Sequence, residues 1–402
     1  MRNIAGFALT TASAFLAVVA IMLNAPSLFY MGTALIATLG ACQLQAWLSV
    51  RALRFERIAP ESVRVGELVT VEVIVWSLQK IRRPLITVLD DLPPKLMVGE
   101  RSPSLPIAPA YDLPIRTQYQ FRPLRRGHFK WSKLTVEGTD ALGLVTKRRT
   151  FETDRAEITV LPRPIPVAVD LPMAAGWGIS EAESGQTRGA GIEPRGVRAY
   201  SYGDSLRHVH WRSSAKTGQL LVKEFEAGTH AAAAFLIQTS SGSEIGTGAN
   251  TSLELICGNV AYLAEQFLRQ GARVDFPGLE QKSSFASPLE RLNEIYEILA
   301  SVQANQSQNL GETTLAVLGI LPTGSALMIA MTLADDSLIE AVAQLSSRGT
   351  QVVPLLYDAL NFLPKNAKRI PRSAADPLFI EQLRSAGAFP VVMPTEGTVE
   401  QS

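Results

Sequence analysis

Asp204, His208 and His210 lie close together in one short segment that is rich in arginine, lysine and aromatic residues. A carboxylate beside two imidazoles can bind a metal ion or transfer protons during a reaction. His208 and His210 would share one face of a strand, because side chains alternate between the two faces. No further acidic ligand lies nearby, so a metal-dependent or hydrolytic enzyme is the alternative function rather than the leading one.

Two interpretations without chemistry compete with a catalytic centre in this segment. In the first, it is a structural clasp, in which arginines pair with carboxylates and aromatic rings are buried against a sheet. In the second, it is an exposed surface whose Arg and Trp side chains anchor a partner protein. The residues that serve these interpretations are Glu193, Arg198, Tyr200, Gly203, Asp204, Arg207, His210, Trp211, Arg212, Ser214, Lys216 and Glu224.

Motifs of the common enzyme classes are absent from the sequence, which has 402 residues and a net charge of +1. It contains no Gly-x4-Gly-Lys-Ser/Thr phosphate loop, no His-Glu-x2-His zinc motif and no Gly-x-Ser-x-Gly nucleophile motif. Cys42 and Cys257 stand far apart in apolar contexts, which favours buried thiols over a disulfide or a metal pair. A net charge near zero provides no bulk attraction for nucleic acid. We therefore predict no enzymatic activity, no cofactor and no nucleic-acid partner.

The N-terminal residues 3–50 contain no Asp, Glu, Lys or Arg, which predicts membrane helices. Ile4–Leu23 and Leu28–Val50 are each long enough to cross a hydrocarbon core of about 30 Å, with a turn at residues 24–27. The second apolar stretch disfavours a cleaved signal peptide. Positive charges flank the pair at Arg2, Arg51, Arg54 and Arg57. By the positive-inside rule, residues 1–54 form a transmembrane hairpin of the inner (plasma) membrane, with both termini and the soluble domains cytoplasmic.

Residues 55–164 have the pattern of a β module. Apolar and polar residues alternate around Val69–Val75 and Ile115–Phe121, and Glu157–Leu161 is predicted to be another short strand. Prolines separate these segments, and no helical period is present. We predict an antiparallel immunoglobulin-like β-sandwich that acts as a spacer or an interaction module. Residues 165–230 follow as a linker or ordered loop together with the basic segment.

Residues 231–402 alternate continuous apolar strands with amphipathic helices, which predicts an α/β domain with a doubly wound, mainly parallel sheet. Leu220, Val222 and Phe225 also alternate, and we expect them to form an edge strand beside residues 231–238. The predicted strands are residues 231–238, 273–279, 326–333, 351–357 and 389–393, and the predicted helices begin near Leu253, Leu289, Leu338 and Pro377.

The basic segment closely resembles the signature of the bacterial "domain of unknown function 58" family. The matching residues are Gly191, Glu193, Gly196-Val197-Arg198, Tyr200, Gly203-Asp204, Arg207, His210-Trp211, Ser214-Ala215-Lys216-Thr217-Gly218, Leu220 and Val222-Lys223-Glu224-Phe225-Glu226. Arg125–Phe129 and Thr139–Leu144 resemble two further patterns of the family. Ala141 and Leu142 depart from the usual Asp-Pro-Phe-Gly, and Pro194 replaces a common aromatic.

The resemblance implies a membrane hairpin, a β module and a von Willebrand factor A-like α/β domain. Such domains bind a divalent cation through an Asp-x-Ser-x-Ser loop, and here Gln238 and Gly242 replace the aspartate and the second serine. Ser240 alone matches, with Asp335 and Asp336 as distant acidic candidates, so a metal site is disfavoured. The resemblance also implies a MoxR-type AAA+ ATPase as partner. We expect a membrane-tethered cytoplasmic adaptor or scaffold in protein-complex assembly or maturation.

Overall fold

The computed structural model describes residues 4–80, 83–96, 103–168, 194–199, 210–225, 232–279, 287–321, 325–364 and 371–395. The chain divides into two compact units, Met1–Leu161 and Pro162–Ser402. The first unit combines two apolar helices with β-sheets, and the second contains an α/β sheet. This order of helices, β module and α/β region agrees with the fold class predicted from the sequence.

The N-terminal helices are α1 (Ile4–Met22) and α2 (Pro26–Ser49). The predicted turn at residues 24–27 is shorter in the structure, because α2 already begins at Pro26. Proline is tolerated there, since the first N–H of a helix has no partner within the helix. Within the described residues, α2 alone is long and apolar enough to cross a membrane, and the apolar stretch of α1, Phe7–Met22, is shorter. A possible N-terminal membrane helix is therefore supported.

The β module consists of two sheets around one apolar core. Strands β1, β3 and β6 form the first sheet, and the second has the order β2-β8-β7-β4-β5. Side chains from both sheets meet in the core, among them Val73 and Tyr119 from the first and Val88 and Trp131 from the second. The strands are β1 (Leu53–Ile58), β2 (Ser62–Arg64), β3 (Val69–Ser77), β4 (Ile86–Asp90), β5 (Ser104–Ile107), β6 (Ile115–Phe121), β7 (Gly127–Thr139) and β8 (Thr146–Leu161).

The strand predicted at Glu157–Leu161 is confirmed, but it is longer than predicted. These residues are the end of the 16-residue strand β8, which pairs along its length with the 13-residue strand β7. The first half of β8 is exposed and polar, so its residues lack the apolar alternation that would reveal a strand. Pairing with β7 supplies the backbone hydrogen bonds that stabilise it.

The second unit opens with a small sheet and one short helix. Strand β9 (Pro194–Ala199) pairs antiparallel with β10 (Leu221–Phe225), and α3 (Trp211–Thr217) precedes β10. The expected edge strand therefore exists, but its partner is β9 and not the α/β strand at residues 231–238. A second two-stranded sheet is formed by β12 (Gly246–Thr247) and β13 (Asn250–Thr251).

The α/β sheet has five parallel strands in the order β14-β11-β15-β16-β17. Phe235 of β11 contacts Phe267 and Phe276 on one face, while Leu236 packs with α7 and α8 residues in the core of the other. Helices thus cover both faces, which confirms the doubly wound arrangement. The strands are β11 (Ala232–Ile237), β14 (Arg273–Asp275), β15 (Ala326–Met331), β16 (Gln351–Leu356) and β17 (Val391–Val392); the helices are α4 (Ser252–Arg269), α5 (Pro288–Ser301), α6 (Leu310–Ala316), α7 (Ser337–Ser347) and α8 (Pro377–Ser385).

The Pro-rich residues after β8 are ordered against helix α4. The Ile165 amide donates to the Gly258 carbonyl at 3.0 Å, and Asn259 Nδ2 donates to the Ile165 carbonyl at 3.0 Å. A Cβ atom on Gly258 would meet Ile165 Cδ1 at 2.6 Å, so the close approach requires glycine at that position. The structure thus selects an ordered loop over a free linker for residues 162–168.

Candidate docking site and sheet edge

Helix α3 is fixed at its start by the side chains of the family motif. His210 Nδ1 accepts a hydrogen bond from the Ser213 amide at 3.2 Å, as an N-cap does. Ser214 Oγ donates to the His210 carbonyl at 3.1 Å and accepts from the Leu221 amide at 2.9 Å. The His210 amide donates to the Leu221 carbonyl at 2.8 Å. His210 and Ser214 therefore join α3 to strand β10 and restrict its orientation.

Trp211 projects from this fixed helix with 66% of its surface exposed. Arg212 and Lys216 on the same helix are also exposed. The clasp interpretation required the Trp211 ring to be buried against the sheet, and that expectation was wrong. Trp211 is the first residue after the N-cap, and the hydrogen bonds at this end of α3 are made by His210 and Ser214. A large apolar ring held in the open by a rigid support suits a docking surface.

Six of the predicted site residues lie outside the part of the chain that the structure describes: Glu193, Tyr200, Gly203, Asp204, Arg207 and His208. In the backbone register of β9 and β10, Arg198 stands opposite Val222, and Glu224 stands opposite Gly196. His210 caps a helix and does not lie in a strand, so the prediction of two histidines on one strand face was wrong.

Gln238 closes the carboxyl end of the parallel sheet, where α/β proteins usually bind ligands. Its Oε1 accepts hydrogen bonds from the Thr332 and Leu333 amides at 3.0 Å each, and its Nε2 donates to the Leu333 carbonyl at 3.0 Å. The side chain is buried, with both polar ends occupied. Gln238 thus links the ends of β11 and β15 directly.

The other candidates at this edge serve local structure. Gly242 turns the loop with a φ of 87°, and Ser240 pairs with Gln306 in an isolated bridge. Asp335 Oδ1 accepts from Ser337 Oγ at 2.6 Å, and Asp335 Oδ2 accepts from the Leu310 amide at 2.9 Å. Asp336 forms an ion pair with Arg372. In the part of the chain that the structure describes, no group of three His, Cys, Asp or Glu side chains is placed to hold a metal ion.

In the first unit, the family pattern at residues 139–144 forms the turn between β7 and β8. Asp140 accepts hydrogen bonds from the Leu142 amide at 2.9 Å and the Val145 amide at 2.6 Å. Burial acts to raise the pKa of Asp140, but hydrogen bonds from Val145, the Cys42 thiol and Leu142 outweigh it and lower that pKa below its usual value. The carboxylate therefore shapes the turn and binds helix α2.

Further contacts join α2 to the β module. Gln45 Oε1 accepts from the Ala141 amide at 3.1 Å. A Cβ atom on Gly138 would overlap Ser49 Oγ and lie 2.8 Å from Val50 Cγ1, so glycine permits the close approach. Arg83 Nη1 donates to the carbonyls of Leu48 at 3.2 Å and Ser49 at 3.0 Å, and to that of Arg51. Leu48 and Ser49 lie in the last turn of α2, where carbonyls lack the usual partner four residues later, which explains why a cation binds there.

Sequence reasoning missed the polar centre of the β module. Arg57 and Asp90 form a bidentate pair with N···O distances of 2.6 and 2.8 Å, and their side chains are 1% and 0% exposed. Tyr119 donates to Asp90 at 2.8 Å, and burial together with the Asp90 charge raises the pKa of Tyr119. Trp131 Nε1 donates to the same carboxylate at 3.4 Å. Arg57 was predicted to flank the membrane, but it neutralises a carboxylate in the core.

One family model matches part of the second unit. Residues 196–321 match the family described as "Protein of unknown function DUF58". The family predicted from the signature residues is thereby confirmed. No curated protein matches the chain.

Three of the matching solved structures each cover about a quarter of the chain. A CARDB domain from Pyrococcus furiosus is 16% identical, with 27% of this chain and 94% of that chain covered, at a TM-score of 0.19. The complex of zinc 2-glycoprotein with prolactin-inducible protein from human seminal plasma is 15% identical, with 28% and 97% covered, at 0.20. A PKD domain of an M14-like peptidase from a Thermoplasmatales archaeon is 12% identical, with 27% and 92% covered, at 0.17. TM-scores of this size define no common fold.

Proposed function

We propose that this protein is a membrane-tethered, non-enzymatic adaptor that docks a partner protein through Trp211 and helix α3. The observation that carries the proposal is the exposed Trp211 ring on a helix that His210 and Ser214 fix to β10. Rigid, exposed tryptophans are frequent anchors of protein interfaces, because little entropy is lost when they bind. Gln238 closes the usual ligand edge of the sheet, which favours binding of a protein over binding of a small substrate.

The partner in this proposal is a MoxR-type AAA+ ATPase, and the process is assembly or maturation of protein complexes. The family resemblance supports this partner, and the sequence supplies no nucleotide-binding loop of its own. ATP hydrolysis would then belong to the partner, while this chain supplies the membrane attachment and the docking surface.

The finer architecture belongs to the same proposal. We place α1 beside α2 as a second membrane span, with both termini in the cytoplasm. Arg51 and Arg54 support this orientation as exposed charges just after α2, whereas Arg57 no longer counts because it is buried with Asp90. The β module is assigned an immunoglobulin-like topology. The parallel sheet with helices on both faces is compatible with a von Willebrand factor A-like domain.

The test is a binding measurement with the full chain in lipid nanodiscs and a purified MoxR-type AAA+ ATPase from a bacterium that encodes both proteins. We expect saturable binding by the natural sequence. Trp211→Ala should weaken it about thirtyfold, since a truncated anchor costs about 2 kcal/mol. Folding should be unchanged because the ring is exposed.

Leu289→Ala is the matched control, because Leu289 is also 66% exposed but lies on α5. It should bind as the natural chain does. Equal affinities of the Trp211 and Leu289 variants would overturn the docking site. Absence of binding by the intact chain would overturn the proposed partner.

A further inference from the structure

Exposed apolar side chains of the β module gather at the end that adjoins α2. The Leu78 amide donates to the Ala52 carbonyl just after α2, and Leu85 precedes the strand residue that pairs with Gly138. Five of the seven large exposed apolar residues that the structure describes in the module lie at this end: Leu78, Leu85, Tyr111, Leu113 and Leu142. The other two, Ile58 and Leu68, lie toward the opposite end. This asymmetry indicates a surface that is not simply facing water.

The position of this end along α2 places it at the depth of lipid headgroups. The helix from Pro26 to Gln45 is about 30 Å long at about 1.5 Å per residue, which matches the hydrocarbon core. Gln45 is the residue that binds the turn at Ala141, whose tip carries Leu142 with 64% of its surface exposed. Trp47, two residues further along α2, is exposed, and the guanidinium carbon of Arg51 lies 4.0 Å from the centre of its ring. Tryptophan and arginine are frequent at the membrane interface.

Arg83 supplies a polar feature at the same depth. Its Nη1 binds the carbonyls at the end of α2, while its Nε and Nη2 are buried without a hydrogen-bond partner. These two nitrogens form one edge of the guanidinium, the edge that binds a phosphate or carboxylate in bidentate fashion. Residue Arg83 is 8% exposed, and burial lowers its pKa. It lines a groove with Ala41, Leu44 and Leu48, which would accommodate an acyl chain beside the helix.

We infer that the end of the β module beside α2 is a lipid-binding face, on which Arg83 binds the phosphate of a phospholipid. Leu142 and its apolar neighbours rest at the boundary between headgroups and acyl chains. This inference rests on the membrane anchoring proposed above, and it adds a second contact that fixes the orientation of the module on the bilayer. The phosphate would approach the free edge of Arg83, with one acyl chain along α2.

The first experiment measures the depth of nitroxide labels on the full chain in phosphatidylglycerol-containing nanodiscs. Labels on Leu142→Cys and Leu68→Cys are compared, because Leu68 is 50% exposed at the far end of β3, a nine-residue strand about 30 Å long. For each label we compare the rate of collision with oxygen to the rate of collision with a nickel complex. The ratio of the two rates should be severalfold higher at position 142 than at position 68. The unsubstituted chain, whose Cys42 and Cys257 are buried, corrects for background labelling.

A third label on Ile36→Cys, exposed in the middle of α2, reports on anchoring itself. A water-exposed label at position 36 would overturn the membrane anchor of the proposed function. A label inside the bilayer at 36 together with equal water exposure at 142 and 68 would overturn only the lipid-binding face.

The second experiment tests Arg83 through the thermal unfolding midpoint of the full chain in an uncharged detergent. Phosphatidylglycerol should raise the midpoint, whereas diacylglycerol should not, and Arg83→Met should abolish the rise. Arg122→Met is the control, because exposed Arg122 binds one backbone carbonyl at the far end of the module. An equal rise with inorganic phosphate, or a rise that Arg83→Met leaves intact, would overturn the phospholipid assignment. If Arg83→Met fails to fold, the label at position 142 still decides whether the face binds lipid, and the natural chain still decides whether a phosphate is bound, by its response to phosphatidylglycerol and diacylglycerol.

Discussion

The two units of the molecule stabilise their polar interiors in different ways. In the first unit, a charged pair, Arg57 and Asp90, is completely buried between two sheets and collects further hydrogen bonds from Tyr119 and Trp131. In the second, the neutral amide of Gln238 joins two strands of one sheet at their ends.

The difference follows from what each centre must connect. Backbone hydrogen bonds run within a sheet and not between sheets, so Arg57 and Asp90 supply directional links across the sandwich that its apolar contacts lack. The strands β11 and β15 are already joined by their parallel ladder, and Gln238 only extends that connection past its end. We therefore expect that disruption of the Arg57–Asp90 pair lowers the free energy of unfolding strongly. Disruption of the Gln238 hydrogen bonds should lower it moderately.

Replacement of Asp90 by Ala is expected to have the largest effect. It leaves the guanidinium of Arg57 buried without its counter-charge, which costs about 3 to 5 kcal/mol. Chemical unfolding of the full chain in detergent, followed by tryptophan fluorescence, should report a loss of this size in the first unit, where Trp131 lies.

The control for Asp90 is Glu72→Ala, which removes an ion pair with Arg116 on the module surface. Exposed pairs of this kind contribute about 1 kcal/mol or less. If Asp90→Ala and Glu72→Ala cost the same, the buried pair does not connect the sheets as described.

Gln238→Ala is expected to have an intermediate effect on the second unit. The amides of Thr332 and Leu333 lose their acceptor, which should lower the free energy of unfolding by about 1 to 3 kcal/mol. Hydrogen exchange followed by mass spectrometry should show faster exchange after β15. Gln344→Ala on the exposed face of α7 serves as the control and should leave exchange unchanged. Unaltered exchange in the Gln238 variant would contradict the linking role.

Asp140→Asn should give the smallest effect, and that effect depends on pH. The pKa of Asp140 is lower in the folded protein than its ordinary value near 3.9, so its stabilisation is present above about pH 4 and is lost as the pH falls through the folded pKa. An amide has one acceptor oxygen for the two backbone donors, which should cost about 1 kcal/mol at neutral pH. The variant and the natural chain should converge in acid, and a constant difference across pH would refute this assignment.

The amino-acid pattern by itself determined the order of elements. A charge-free N-terminus, period-two alternation around Val73 and apolar strands such as Ala326–Met331 fix local structure through burial, which sequence periodicity records directly. The family signature likewise identified the family. The polar half of β8 and the short helix α3 were not predicted from the sequence. The first depends on pairing with another strand, and the second depends on a single side-chain cap.

Only the tertiary structure decided what the polar residues do. Arg57 and Arg54 are indistinguishable in a charge count, yet one is buried on Asp90 and the other exposed beside Trp76. Gln238 differs from a metal ligand by its bonds to Thr332 and Leu333, far along the chain. When a polar side chain is buried, its free energy depends on which protein atoms replace the water molecules that were bound to it. The packing of segments distant in sequence determines which atoms these are.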